Sequence, residues 1–262
     1  MLLAATTATM SAYDFEVDGI KYIFLNGTTA STNSGGWPPT DYDLMHCTGD
    51  IVVPATIHCN EKDYTVVKIG YMSFINNSIT SISLPNTLVA IDDAAFMFCG
   101  LLEYINIPDE VESIGMYAFD QCLAMTYAVI GKSVASMGEG VFCGNASMTR
   151  ITLKPVTPPT ATTLFYTDTY LYGQATFFVP LESLEAYRAH EEWSKFMHIV
   201  PFIGAGPGDV NGDGNISIGD VASLIDQLIG DEEIPAYYDV DGDGRVSIGD
   251  ITALIDMLLG NN

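Results

Sequence analysis

Between Ile79 and Leu153 the chain repeats nearly the same phrase every twenty-three residues. The first row is Ile79-Thr-Ser-Ile-Ser-Leu-Pro85, followed by Ile91, Phe96 and Cys99. The second is Leu102-Glu-Tyr-Ile-Asn-Ile-Pro108, then Ile114-Gly115, Phe119 and Cys122. The third is Met125-Thr-Tyr-Ala-Val-Ile-Gly131, then Met137-Gly138 and Phe142. A fourth opens at Met148-Thr-Arg-Ile-Thr-Leu153, and an irregular earlier row closes on Ile69-Gly70 and Phe74. A unit this short cannot bury its own apolar face. Stacked copies can, and they make one continuous core, so the period dictates a solenoid.

Within a row, positions 1, 4 and 6 are apolar and are expected to point inward, with a change of phase after position 1. Equivalent strands of successive rows then lie side by side, about 4.8 Å apart. Phe74, Phe96, Phe119 and Phe142 fall in one column, and each buried Phe is worth roughly 1.5–3 kcal/mol. Proline after the strand stops the ladder and turns the chain. Residues 181–190 read as a short amphipathic helix that closes the open end of the stack. Cys99 and Cys122 share a core column and read as small buried hydrophobes. Cys47 and Cys59 flank one strand and are open to pairing in an oxidising compartment; five cysteines are an odd number and make no disulfide framework.

A second duplication follows the first. Asp209-Val-Asn-Gly-Asp-Gly-Asn-Ile-Ser-Ile-Gly-Asp220 and Asp239-Val-Asp-Gly-Asp-Gly-Arg-Val-Ser-Ile-Gly-Asp250 stand thirty residues apart. Positions 1, 3 and 5 carry Asp or Asn, position 6 is Gly and position 12 is a carboxylate, the pattern of an oxygen cage for calcium. After each loop come apolar residues at helical spacing: Val221, Leu224, Ile225, Leu228 and Ile229, then Ile251, Leu254, Ile255, Leu258 and Leu259. Gly230 and Gly260 suit a left-handed residue at the helix end. No comparable entering helix precedes Asp209.

The chain has 33 Asp+Glu against 9 Lys+Arg, a net charge of −24. That balance argues against nucleic acid as a partner. It also means that the loop carboxylates repel one another until a cation joins them, so metal binding is expected to be coupled to folding of the tail. The four histidines, His46, His58, His190 and His198, show no H-E-x-x-H spacing. Glu191 and Glu192 beside His190 read as a solvated helix end. There is no Gly-rich phosphate loop and no G-x-S-x-G, so the chain is not read as an enzyme. Residues 1–12 have the look of a truncated signal-peptide remnant, and no stretch is long enough to cross a membrane as a helix.

The row pattern L-x-x-I-x-I-P, V-x-x-I-G, A-F-x-x-C resembles the BspA-like leucine-rich repeat family, over about residues 13–203. That resemblance implies a secreted or bacterial surface protein working by adhesion. The tail, over 208–262, resembles a type I dockerin, a calcium-folded module that plugs its carrier into cohesin domains. The resemblance implies two Ca2+ ions. The first would take the side chains of Asp209, Asn211, Asp213 and Asp220, the second those of Asp239, Asp241, Asp243 and Asp250. The carbonyls of Asn215 and Arg245 would add one oxygen each, and Ser217 and Ser247 would hold a bridging water. The pair before the last ligand, commonly hydroxyl-bearing in that family, is here Ile218-Gly219 and Ile248-Gly249.

The expected architecture is therefore multidomain. A β-rich α/β leucine-rich-repeat solenoid with parallel strands and short helices spans 13–203, a linker spans 204–207, and a small all-α calcium module spans 208–262. Gly204-Ala-Gly-Pro-Gly208 reads as a hinge with some freedom. Outward position 3 carries Tyr104, Tyr127 and Arg150, a candidate stripe for an unknown protein or glycan. The alternative is that the tyrosines only stabilise neighbouring strands. For the whole chain three readings stand: a recognition solenoid tethered to a cohesin-type scaffold, a self-contained adhesin with a purely structural calcium tail, and an enzyme with an unrecognised site.

Overall fold

A computed structural model describes residues 13–33, 45–165, 169–204, 206–212, 215–230 and 234–259. The expected signal remnant at 1–12 lies outside the described residues. The repeats stack as the period demands. Strands Tyr104–Asn106, Tyr127–Ile130, Arg150–Leu153, Thr176–Pro180 and His198–Phe202 pair in parallel, in that order, as one sheet. Thr48–Val52 and Ser78–Ser83 form a parallel pair on the same side, joined to the sheet where the Glu103 amide donates to the Thr80 carbonyl at 3.2 Å. A second wall is built from two-residue strands, Ala90–Ile91, Ser113–Ile114, Ser136–Met137 and Thr160–Ala161, each parallel to the next.

Inward positions behave as the phase requires. Leu102, Ile105 and Ile107 are buried, as are Met125, Ala128 and Ile130, then Met148, Ile151 and Leu153. Proline ends the strand in the first two rows. In the third, Gly131 takes its place because the backbones converge there: a Cβ on Gly131 would come within 2.1 Å of the Pro108 carbonyl oxygen.

The remaining side of each rung is a tight turn. Met72, Ala94, Tyr117, Gly140 and Thr163 all have positive φ, between 49° and 64°. For a residue with a side chain the left-handed conformation costs about 1–2 kcal/mol. The cost is offset by a bond to the next rung. The Ala94 amide donates to Met116 at 2.8 Å, Tyr117 to Glu139 at 2.9 Å, and Gly140 to Thr163 at 3.0 Å. Between these bonds lies the phenylalanine column. Phe74, Phe96 and Phe119 stack with centroids 5.2 Å apart and planes within 4°, and Phe142 follows at 5.8 Å. Cys99 and Cys122 sit beside it, their thiols donating to the carbonyls of Phe74 at 2.9 Å and Phe96 at 3.3 Å. All five cysteines are free thiols in this structure, Cys47 and Cys59 included.

The stack is closed at both ends. The antiparallel hairpin Phe15–Val17 and Ile20–Phe24 leads through Thr29–Thr32 into Lys62–Ile69, with Phe24 stacked on Tyr64 at 4.2 Å. At the other end a 3-10 turn, Leu181–Ser183, runs into helix Leu184–Ala189. Tyr187 and Trp193 are fully buried there and donate to the carbonyls of Pro155 and Pro159, each at 2.8 Å. Glu192 corrects the sequence reading. It is not solvated but 2% exposed, accepting from the Leu164 amide at 2.9 Å, the Tyr172 hydroxyl and the Lys195 ammonium. Sequence adjacency to Glu191 gave no hint of the distant partners Leu164 and Tyr172.

The tail forms a separate small core of Val210, Val221, Leu224, Tyr238, Val240 and Leu254. Helices Ile218–Ile229 and Ile248–Leu259 pack on each other and supply half of it, Val221, Leu224 and Leu254. Gly230 does not adopt the expected left-handed conformation: it leaves the first helix extended, with φ −75° and ψ 163°. Gly260 lies outside the described residues.

Candidate metal centre and outward strand face

The second loop runs from the turn Ala236–Tyr238 to the helix beginning at Ile248. Its backbone folds around its own carboxylates. Asp239, 4% exposed, accepts through Oδ1 from Gly242 N at 2.8 Å and through Oδ2 from Gly244 N at 2.9 Å. Asp241 accepts from Asp243 N at 3.0 Å, and Asp243 from Arg245 N at 2.8 Å. Asp250 is fully buried at the helix start and accepts from Val240 N at 2.7 Å, Asp241 N at 3.2 Å and Ser247 N at 2.7 Å.

These bonds leave oxygens of Asp239, Asp241 and Asp243 within 4.8 Å of one another. Oxygens on opposite sides of one calcium stand about 5 Å apart, since each bond is roughly 2.3–2.6 Å. The donor set therefore fits a hard cation. The electrostatics agree. Burial, and then the neighbouring carboxylates Asp250 and Asp241, push Asp239 up to about 6, against the pull of the two glycine amides. Asp241 is raised for the same reasons, burial first. A divalent ion among these oxygens would remove that repulsion.

The first loop has the same frame where it is described. Asp209 and Asp220 are buried. Asp220 accepts from Asn211 N at 3.0 Å and from Ser217 N at 2.7 Å, closing a capping box with Ser217 at the helix N-terminus. Asp213 lies outside the described residues. Ser217 and Ser247 cap their helices in the same way, each accepting at 3.0 Å from the amide of Gly219 or Gly249.

On the solenoid, the three residues of the outward stripe do come together. Tyr104 pairs in register with Tyr127, and Tyr127 with Arg150. The two tyrosine rings stack at 5.1 Å and 6°. The Arg150 guanidinium lies 4.7 Å over the ring of Phe178, and burial lowers its pKa. The ring stacking is what strand stabilisation alone would produce, so the geometry serves both readings of the stripe.

The tail packs against this same face, and the hinge expected at 204–208 is partly buried: Gly206, Pro207 and Gly208 are enclosed. Outward-facing Thr152, Phe178, Val200 and Phe202 are all below 9% exposed. The modules are joined directly by a bond from the Thr176 hydroxyl to the Gly242 carbonyl at 2.9 Å. Reasoning from single rows missed this contact. Its signal lay in Phe177-Phe178, consecutive aromatics of one strand, which require cover on both faces.

The repeats and loops match two family models. Residues 67–171 match the BspA type leucine rich repeat region in six copies, and residues 207–259 match the dockerin type I domain. The chain joins a BspA-type repeat region to a type I dockerin domain. Comparison with curated proteins finds no match. Among solved structures, a T. pallidum leucine-rich repeat protein is 17% identical with a TM-score of 0.52, covering 85% of this chain and 99% of that one. A leucine-rich repeat protein from Bacteroides capillosus is 18% identical, TM-score 0.44, covering 53% of this chain and 96% of that one. One from Bacteroides ovatus is 23% identical, TM-score 0.41, and the match spans 65% of this chain and 48% of the other. At these identities the T. pallidum likeness shows the fold alone.

A BspA-type repeat region and a dockerin domain are both binding modules, typically non-catalytic, and together they support a protein-binding role. Modules of both kinds are typical of extracellular or surface proteins of bacteria. Among the described residues no helix is long and apolar enough to cross a membrane.

Proposed function

We propose that the chain is a secreted or surface-held, non-catalytic binding protein. Its solenoid recognises a protein or glycan, and its dockerin domain docks it, calcium-dependently, to a cohesin-type partner. Two Ca2+ ions are assigned to the tail. Asp209, Asn211, Asp213, Asp220 and the Asn215 carbonyl hold the first, with Ser217 on a bridging water. Asp239, Asp241, Asp243, Asp250 and the Arg245 carbonyl hold the second, with Ser247 in the equivalent place. In each, the cation would neutralise carboxylates that otherwise repel, and so order the loop that starts its helix.

The observation that carries the docking reading is a matched pair of exposed aliphatic side chains. Ile218 and Ile248, just before the last loop carboxylate, are 75% and 77% exposed. Ile229 and Leu259, at the other end of each helix, are exposed as well. An apolar surface kept open in both copies of a duplicated unit suits a protein partner. The test is to pass the full chain over immobilised bacterial cohesin domains with calcium or with chelator. Binding that needs calcium and is abolished by Ile218→Asp together with Ile248→Asp is expected. A calcium-loaded chain that binds no cohesin overturns the docking reading. That result would favour the alternative, a structural tail, for which the Thr176–Gly242 contact is the supporting observation.

On the solenoid, Tyr104, Tyr127 and Arg150 are assigned to the ligand face. Replacing all three by alanine and finding binding to a host surface unchanged would remove that assignment.

A further inference from the structure

The two calcium loops are near-copies in sequence but not in surroundings. Gly212 and Gly242 hold the same place in each, with φ of +73° and +75°. Among the described residues, a Cβ on Gly212 would meet only the tip of Ile203, at 3.4 Å. A Cβ on Gly242 would come within 2.6 Å of Thr176 Cγ2 and 2.9 Å of Phe178 Cζ. The Gly242 carbonyl accepts from Thr176 Oγ1 at 2.9 Å. Beneath it Phe178, Val200 and Phe202 form a cluster of their own, separate from the solenoid core and 0%, 8% and 4% exposed. They lie on the outer face of the last two strands, where an open solenoid would show them to water.

We propose that this outward patch is an internal docking surface whose occupant is the second loop, Asp239–Asp250, in its metal-ordered form. The inference rests on the calcium reading of the tail. The loop meets the sheet with its backbone at Gly242. Its fit therefore depends on the turn at Gly242 being held in one shape, and that turn is fixed by Asp239 accepting from the Gly242 and Gly244 amides. When the carboxylates are left to repel one another, the turn loosens, the Thr176 bond is lost and the apolar patch is uncovered. Linkage works in both directions: a loop seated on the sheet holds its ion more tightly than a free one. The first loop is expected to have no share in the effect, since among the described residues a Cβ on Gly212 meets no atom of the sheet strands. Ile218 and Ile248 both remain exposed with the loop seated, so the seat and an external partner are compatible.

Hydrogen exchange and calcium calorimetry on the full chain test this. Chelator is expected to remove protection from residues 176–180 and 198–202 while leaving strands 104–106 and 127–130 protected. Gly242→Ala in calcium should do the same. Gly212→Ala, with equal backbone strain and no contact with the sheet among the described residues, should not. Thr176→Val leaves the loop untouched and is expected to weaken one of the two calcium sites about fivefold, the worth of one neutral hydrogen bond. Calcium binding with strand protection unchanged by chelator overturns the seat alone, as do alanine variants that behave alike. A wild-type chain giving no calcium heat overturns the calcium reading itself, and with it a metal-held seat.

Discussion

Truncating Phe119 is the sharpest test of what holds the solenoid together. Its ring is fully buried and sandwiched, with Phe96 at 5.2 Å and Phe142 at 5.8 Å. Phe→Ala in a packed core costs about 3–5 kcal/mol, the transfer of the ring plus the cavity it leaves. The layers above and below are pinned by backbone bonds, such as Phe96 N to Ala118 O at 2.8 Å, so they cannot collapse into the gap. The upper half of that range, about 4 kcal/mol, is therefore expected for Phe119→Ala. Phe119→Leu keeps most of the burial but loses two ring contacts worth about 0.5–1.5 kcal/mol each, giving about 2 kcal/mol. Phe98 supplies the control: it stands two residues beyond Phe96 in the preceding row, 47% exposed, and Phe98→Ala should stay within about 0.5 kcal/mol of wild type. Urea unfolding followed by circular dichroism in constant calcium reads all three. A Phe119→Ala cost below about 1.5 kcal/mol, or one equal to that of Phe98→Ala, would refute the view that the ring column carries the stack.

Further outcomes follow from other buried groups. Burial alone would raise the Glu192 carboxyl, but the Lys195 ammonium, the Tyr172 hydroxyl and the Leu164 amide outweigh it and hold the pKa below its ordinary value. Its stabilising effect is thus full above the unfolded pKa and fades as pH falls through the lower folded one. The stability gap between wild type and Glu192→Gln should narrow steadily from pH 6 to pH 3 in acid titration; a constant gap would exclude this role. Burial raises Cys99 to about 12 and Cys122 well above its usual range. A thiol reagent on the native chain should label half-exposed Cys59 first and leave those two unreacted until unfolding, as mapped by mass spectrometry. Tyr104→Ala breaks the 5.1 Å stack on Tyr127 and should lower stability by about 1 kcal/mol in denaturant. No measurable loss would leave ligand contact as the better account of that column.

Much of the solenoid was legible because periodicity is a redundant signal. Phe74, Phe96, Phe119 and Phe142 each reported the same column, and Cys99 and Cys122 reported another beside it. The loops were legible for a similar reason: alternate carboxylates on a turning backbone have few uses, and Asp239, Asp241 and Asp243 do converge. What escaped depends on residues far apart in the chain. Glu192 is buried by partners at Leu164 and Tyr172, which nothing in its neighbourhood announces. Gly230 ends its helix extended, although glycine there permits the left-handed turn as easily. The burial of Thr152, Phe178, Val200 and Phe202 escaped the row pattern because those rows do not show what covers their outer face. The second module, packing across the face, supplies that cover.

Each repeat rung closes on itself through its own left-handed turn, and its neighbours in the stack are the rungs beside it. Growth of such a protein is thereby quantised. A whole extra row placed between Met125 and Met148 adds one more layer, with its own phenylalanine and its own turn. Half a row sets aromatic against backbone all the way to the cap at Trp193. Lengthening the outward strand face is thus a matter of copying complete units, and the sealed ends need not change at all.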